Sequence, residues 1–336
     1  MKKALIYVSA CIICTAAQGT SSKSFVPAIV YQGDRHDQGF NEQAFSGAEQ
    51  FKKEYGISYI EAQASNDAQQ LQALRSAARR GATFVVAVTN TFAPWIAQVA
   101  KEFPRVKFVL TDATAKGRAA NLKSIMFREQ EVAFLAGMAA AFKSKSNTIG
   151  YIGGNAIPPI LAWGCGYAQG ARYAKPQIKI IQNMVANTSV GFSDPARGAE
   201  IARSQFDRGV DVVFTAANLT NFGVLRQVKD SGKLGIGVDS NQNGLFPGAV
   251  LTSAIKKVGN LVYDEWKAAK NEAPWQSGVT TAGLKENVLD LAIDQHNRAV
   301  FDQDLERRVM QARADIVAGK IKVIDYRTDN RCPVKY

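Results

Sequence analysis

Two aspartates in this chain stand where parallel α/β proteins do their chemistry. Asp112 follows the apolar run Val106–Thr111, and Asp239 follows the run Leu234–Val238. Ligands of open parallel sheets bind beyond the carboxyl ends of the strands. A carboxylate there accepts hydrogen bonds from hydroxyls or ring N–H groups, unless a helix cap or loop salt bridge claims it. The loop Gly33–Asn41 carries Asp37, Phe40 and Asn41. Phe40 either stacks on a flat ligand or packs as a staple on the helix that follows. The corresponding loops of the second half deliver Trp163 and Phe192, and Lys256 lies just past the run Val250–Ile255. Its ammonium can serve ligand oxygens, or be merely solvated.

Other chemistries find little footing. His36 and His296 are the only histidines, so no His-rich metal site and no Ser/His/Asp set can be assembled. Asp239-Ser-Asn-Gln-Asn243-Gly244 imitates the first half of a calcium loop, but its twelfth position is Val250 where a bidentate glutamate is required. Gly150–Gly154 and Gly235-Ile-Gly237 lack the G-x-G-x-x-G spacing, and no lysine completes a P-loop. No cofactor and no metal are expected, and nothing argues for an enzyme.

The elements that must position these residues alternate. Strands are expected at Phe25–Gln32, Ile57–Gln63, Thr83–Val88 and Val106–Thr111, with helices at Asn41–Tyr55, Ala68–Arg80 and Phe92–Phe103 between them. Such alternation implies βαβ units and a parallel sheet. After Lys145 the order restarts. NDAQQLQALRSAARRGATFVVAV aligns with SDPARGAEIARSQFDRGVDVVFT, and KFVLTD with GIGVDS, so Asp67 faces Asp194 and Asp112 faces Asp239. Asp67 and Asp194 read as helix caps, the second followed by Pro195 at the first helical position. Two similar α/β lobes follow: residues 25–140 plus about 255–285, and 145–250 plus about 290–330. Beyond Val250 the repeat stops. A helix at Val258–Lys270, strand-like segments in Val279–Ile293, a helix at Asp302–Ala318 and a last strand at Ile321–Tyr326 complete both lobes by crossing back. Several crossovers make a hinge, and the cleft between lobes is the expected ligand site.

The 336 residues carry 41 basic and 29 acidic side chains, a formal charge of +12. The basic residues are scattered in nothing longer than pairs, which suits a solvated surface and no nucleic-acid partner. Residues 1–17 read as a secretory signal: two lysines, an apolar run from Ala4 to Cys14 too short to span a bilayer, then Thr15-Ala16-Ala17. Val8-Ser9-Ala10-Cys11 is a rival lipobox that would anchor Cys11 to lipid. Cleavage after Ala17 leaves Cys165 and Cys332, which are either a disulfide tying the tail to the helix around Cys165 or two separate thiols.

The segments DQGFNEQAFSG, FREQEVAFLAG, IGYIGG, FSDPARGAEIA, GVDSNQ and VLTSAIKK, in this order and spacing, resemble the basic membrane protein family. These are the purine-nucleoside-receptor-like substrate-binding proteins of ABC importers. The resemblance covers essentially the whole mature chain and implies a type I periplasmic binding protein fold. It further implies a monomer that closes on a nucleoside and delivers it to a membrane permease. By the same resemblance Phe40 stacks on the base, Asp112 bonds the base edge, Asp239 and Lys256 hold ribose hydroxyls, and Asn41 supports its loop. Trp163 and Phe192 would form the opposite aromatic face. The family often has an acidic residue at the end of the first strand, where this chain has Tyr31. The residues themselves leave three other readings open: a sugar or other small metabolite as ligand, an exported nucleoside-processing enzyme, and a surface adhesin or receptor.

Overall fold

Short runs rich in β-branched residues alternate with amphipathic stretches, and each becomes a strand or a helix accordingly. The computed structural model describes residues 24–37 and 39–335; the expected signal and Cys11 lie outside the described residues. The first half runs β1 (Pro27–Gln32), α1 (Phe40–Tyr55), β2 (Ile60–Ala64), α2 (Asp67–Arg79), β3 (Phe84–Val88), α3 (Ile96–Glu102), β4 (Lys107–Thr111), β5 (Leu122–Phe127) and α4 (Glu129–Lys143). The second runs β6 (Thr148–Gly153), α5 (Pro158–Ala174), β7 (Lys179–Met184), α6 (Pro195–Asp207), β8 (Val212–Ala216), α7 (Asn221–Asp230), β9 (Leu234–Asp239), β10 (Val250–Lys256) and α8 (Val258–Lys270). Then come β11 (Gly278–Ala282), β12 (Leu289–Leu291) and α9 (Gln303–Val317).

Two six-stranded sheets result, ordered β11-β5-β4-β3-β1-β2 and β12-β10-β9-β8-β6-β7. Each strand of one sheet occupies the place of its counterpart in the other, so the sequence repeat is a repeat of topology. The edge strands differ: β11 runs parallel to β5, whereas β12 runs antiparallel to β10. The chain passes between the sheets three times, from β5 into α4, from β10 into α8, and from β11 to β12.

The helices after the first two crossings change sides. α4 packs along α5 and against β10, and α8 packs along α1. The expectation that residues up to 140 belong with the first half therefore fails for α4, which is built into the second. Close packing requires glycine here. A Cβ on Gly137 would lie 1.9 Å from the Tyr167 carbonyl oxygen, and one on Gly170 1.8 Å from that of Phe134. Because α4 is covered on nearly every side, its residues from Val132 to Ala141 are buried without helical periodicity.

Two local expectations are corrected. The cap of α2 is Asn66, whose side chain accepts a hydrogen bond from the Gln69 amide at 3.0 Å, and Asp67 is already helical. Asp194 does cap α6, accepting from the Arg197 amide at 2.9 Å. The strand expected at Ile321–Tyr326 joins neither sheet. Its alternating Ile321 and Val323 pack against the core, while the Gln169 side chain on α5 bonds both the N–H and the C=O of Ile324 at 2.9 Å. With its backbone satisfied by a side chain, the segment needs no neighbouring strand. Among the described residues no helix is long and apolar enough to cross a membrane.

Cys165 on α5 and Cys332 in the tail are joined, with Cα atoms 5.6 Å apart. This settles the choice between a disulfide and two thiols. The bond closes a loop of 167 residues, and constraining so long a loop in the unfolded chain contributes roughly 2–5 kcal/mol. Reduction, or Cys332→Ser, is expected to lower the guanidinium midpoint accordingly; coincident transitions for oxidised and reduced protein would contradict this.

Candidate functional site

The carboxyl ends of the two sheets face each other across a cavity of about 530 Å³. Asp37, Phe40, Asn41, Asp112, Trp163, Phe192, Asp239 and Lys256 all lie on its wall, so residues spread over most of the chain converge on one space. The backbone marks the same place. Thr89 after β3, Asp112 after β4, Asn218 after β8 and Asp239 at the end of β9 have positive φ; both aspartates adopt 64°. Non-glycine residues in this region are uncommon and concentrate at functional sites. The shared value means that the repeat presents its two carboxylates with the same local geometry, one from each side of the cleft.

Lys256 ends β10 at the crossing into α8 and is 2% exposed, contrary to the solvated alternative. Its ammonium donates to Asp112 Oδ1 at 2.9 Å and to Glu129 Oε1 at 3.0 Å. It also lies 5.2, 4.9 and 5.5 Å from the ring centroids of Phe40, Phe127 and Trp163, distances at which aromatic faces attract a cation. Burial alone would lower the lysine's proton affinity, but Asp112, Glu129 and Asp239 outweigh it and hold the ammonium charged. Glu129, fully buried at the start of α4, is pushed above the ordinary carboxylate range by burial and held back by Lys256. Asp239 is pushed up to about 6 by burial, against the pull of Lys256. Lys256 is thus a fixed part of the cavity wall whose commitments are to protein carboxylates.

The loop between β1 and α1 is organised by two of its own side chains. Asp37 accepts from the Gly39, Asn41 and Glu42 amides at 2.9–3.1 Å, supplying α1 with the cap that its N-cap residue Gly39 lacks. Asn41 donates to the carbonyls of Gln32 and Asp34 at 2.8 and 2.9 Å. Both therefore fix the loop that places Phe40 against the cavity. From the other half, Asn218 reaches across to Asp37 at 3.4 Å. Trp163 lies on α5 with its ring edge-to-face on Phe214, and Phe192 is half-buried on the turn Ser189–Phe192. Tyr31 is fully buried in the core, and the β1 residue that lines the cavity is Gln32. A departure at Tyr31 therefore does not itself alter the cavity wall.

Sequence reasoning did not single out Thr89, Asn155, Asn218 or Glu129. The first three are ordinary polar loop residues, although Asn218 follows a strand end as the aspartates do. Glu129 sits in the FREQE segment, where a carboxylate at a helix start reads as a dipole partner. Only the fold shows it bonded to a lysine 127 positions away. Removing one partner from such a buried cluster strands the others, at about 3–5 kcal/mol. Lys256→Met is expected to be destabilised by that amount near neutral pH. The loss should shrink as pH falls, because the orphaned, fully buried Glu129 carboxyl then binds its proton more tightly in the folded than in the unfolded chain. Chemical denaturation at several pH values checks both parts; a variant as stable as the wild type at neutral pH would contradict them.

Residues 26–326 match the family model described as ABC transporter substrate-binding protein PnrA-like. The chain is 30% identical to the "ABC transporter nucleoside-binding protein BmpA" of Lactococcus lactis over 358 aligned positions, spanning 96% of this chain and 99% of the relative. It is 29% identical to "Basic membrane protein D" of Borreliella burgdorferi, spanning 93% and 91%. Among solved structures, an ABC transporter solute-binding protein from Aeropyrum pernix superposes with a TM-score of 0.80 at 25% identity, covering 90% of this chain and 94% of that one. The two facing parallel-sheet lobes are those of the periplasmic binding proteins, and the chain belongs to the PnrA-like substrate-binding proteins of ABC transporters, the basic membrane protein family.

Proposed function

We propose that the protein binds a nucleoside, most favourably a purine nucleoside, in the cavity between its lobes and presents it to the permease of an ABC importer. Membership of the family implies a small-molecule ligand, a permease partner and work outside the cytoplasmic membrane. On this reading the chain is exported by residues 1–17 and acts as a periplasmic monomer. The observation that carries the proposal is the pairing of aromatic and carboxylate surfaces in one cavity. Phe40, Trp163 and Phe192 supply flat apolar surface, while Asp112 and Asp239 face in from opposite lobes. A base needs offset stacking, worth about 0.5–1.5 kcal/mol per pair beyond burial. A ribose needs acceptors for its hydroxyls. Phe40 would stack on the base, with Trp163 and Phe192 on its far side, and Asp112 would bond the base edge. Asp239 would take the ribose hydroxyls, and Lys256 would keep Asp112 in place while offering its remaining N–H to the ligand.

A ligand touching both lobes stabilises the closed arrangement by its differential contacts with it. Selectivity follows from the buried carboxylates, because a ligand lacking hydroxyls leaves them unpaired. The relative from Lactococcus lactis carries nucleoside binding in its name, which supports this reading over a sugar or an exported enzyme.

Refolded, ligand-free protein is expected to bind adenosine, guanosine or inosine one-to-one in calorimetry, without product formation, and more tightly than a free base or ribose. Saturable binding of ribose alone would favour the sugar reading, and turnover would favour an enzyme. Asp239→Ala should abolish binding while leaving the melting transition intact; an unchanged dissociation constant would remove Asp239 from the site. Because Asp239 is raised from 3.8 to about 6 and accepts from hydroxyls with both charged oxygens only when ionised, affinity should fall as pH drops through about 6. The unliganded protein should show the opposite trend, losing stability as pH rises from about 4 to about 6, since the folded carboxyl holds its proton more tightly than the unfolded one.

A further inference from the structure

Binding as proposed leaves a half-buried cation without a task. Arg327 lies on the short turn Tyr326–Thr328, in the tail beyond α9, with its side chain 13% exposed. It does not touch the cavity. Its Nη2 donates to the Phe127 carbonyl at 2.6 Å and lies 2.9 Å from Glu129 Oε2 and 2.8 Å from Asp325 Oδ2. Glu129 is the carboxylate that holds Lys256 at 3.0 Å, and Lys256 holds Asp112 at 2.9 Å. The four side chains alternate in charge from the tail to the cavity wall, and the first crossing between the sheets, Phe127 to Glu129, runs through their middle.

The tail is held at two places on α5, by Cys332 on Cys165 and by Ile324 on Gln169. That helix also carries Trp163. We infer that Arg327 is a positioning residue of the ligand site: it fixes the charge and orientation of Glu129, through Glu129 it fixes Lys256 and Asp112, and the Cys165–Cys332 bond keeps it in place.

Glu129 is faced by Lys256 from the end of β10, Arg327 and the adjoining Asp325 from the tail, Asp112 after β4 and, more distantly, Asp239 at the end of β9. Two cations balance it in the intact protein. Without Arg327, a fully buried carboxylate shares one ammonium with Asp112. Either it draws Lys256 away from Asp112, or it takes up a proton near neutral pH and leaves Lys256 to Asp112 alone. Both outcomes change the carboxylate presented to the ligand, although the cavity lining keeps its composition. Arg327 is raised further above its ordinary range by Glu129 and Asp325 despite burial, so it stays charged throughout.

The inference rests on the nucleoside reading for its affinity readout, and a ligand-free readout separates the two. Trp163 lines the cavity 5.5 Å from the Lys256 ammonium, so its emission reports whether a change at Arg327 arrives there. The emission of Arg327→Gln, Arg327→Lys, Cys332→Ser and wild type would be recorded from about pH 5 to about pH 9, each corrected with its Trp163→Phe counterpart. Arg327→Gln is expected to move the inflection upward by about one unit, with Arg327→Lys restoring it and Cys332→Ser moving it the same way. By calorimetry with the tightest-binding purine nucleoside, Arg327→Gln should bind about tenfold more weakly and Arg327→Lys near wild type.

An Arg327→Gln protein with unaltered inflection and affinity overturns the inference. So does equal loss in Arg327→Gln and Arg327→Lys, which would make the residue a structural plug. If Arg327→Gln does not fold, dithiothreitol-reduced wild type, compared with oxidised protein, takes its place: an unchanged inflection and affinity reject the role of the tail. If wild type binds no nucleoside, the proposed function fails while the emission titration still decides the link from Arg327 to the cavity.

Discussion

A buried ammonium that must be neutralised governs the middle of this molecule. Lys256 is almost wholly shielded, so its charge is tolerable only where carboxylates meet it, and those come from the loop after β4 and from the first chain crossing. Glu129 follows β5, Lys256 ends β10, and their bond clasps the two strands at the points where they leave their sheets. The third crossing is tied to the same place. The Arg128 amide donates to the Ala282 carbonyl at 2.9 Å, the Lys257 amide to Val288 at 2.7 Å, and the Leu284 amide to Glu131 Oε2 at 2.9 Å. A hinge built this way has its covalent connections and its electrostatic centre in one spot, directly beneath the cavity. Such a pair adds little net stability compared with apolar packing, and its value here lies in specifying one arrangement of the crossings.

The duplicated halves place equal parts at equal positions and then use them unequally. Asp112 and Asp239 end equivalent strands with the same backbone angle, yet only Asp112 bonds Lys256 directly. Asp239 remains free to take hydrogen bonds from a bound molecule. The aromatic contributions are unequal as well. The first half lends one ring, Phe40 at the start of α1, whereas the second lends two, Trp163 from α5 and Phe192 from the turn before α6.

Much of this was legible in the residues. The strand–helix alternation, the internal repeat and the placing of Asp112 and Asp239 at equivalent strand ends follow from period and order, whereas only the fold shows that Phe40 and Lys256 join them on the cleft wall. β5 and α4 were not legible, because α4 is apolar on all sides and shows no helical stripe, and β5 is the last strand before the crossing, beyond the part of the repeat where the alignment is clearest. The tail strand was misread for the opposite reason. Ile321 and Val323 alternate properly, but a helix side chain satisfies the backbone that a neighbouring strand would have bonded. The true commitments of Lys256 were invisible too, since the partner that buries it lies in a segment whose own pattern suggests nothing but a helix start.

The exchange of α4 and α8 bears on how the chain comes into being. The first sheet lacks its edge until Gly278–Ala282 arrives, and α1 lacks its cover until α8 does. A chain emerging from its N-terminus, whether from a ribosome or through an export channel, therefore cannot seal its first lobe while the second is still missing. The halves must mature together, and any cut between them would leave two fragments that each expose the face the other was meant to cover.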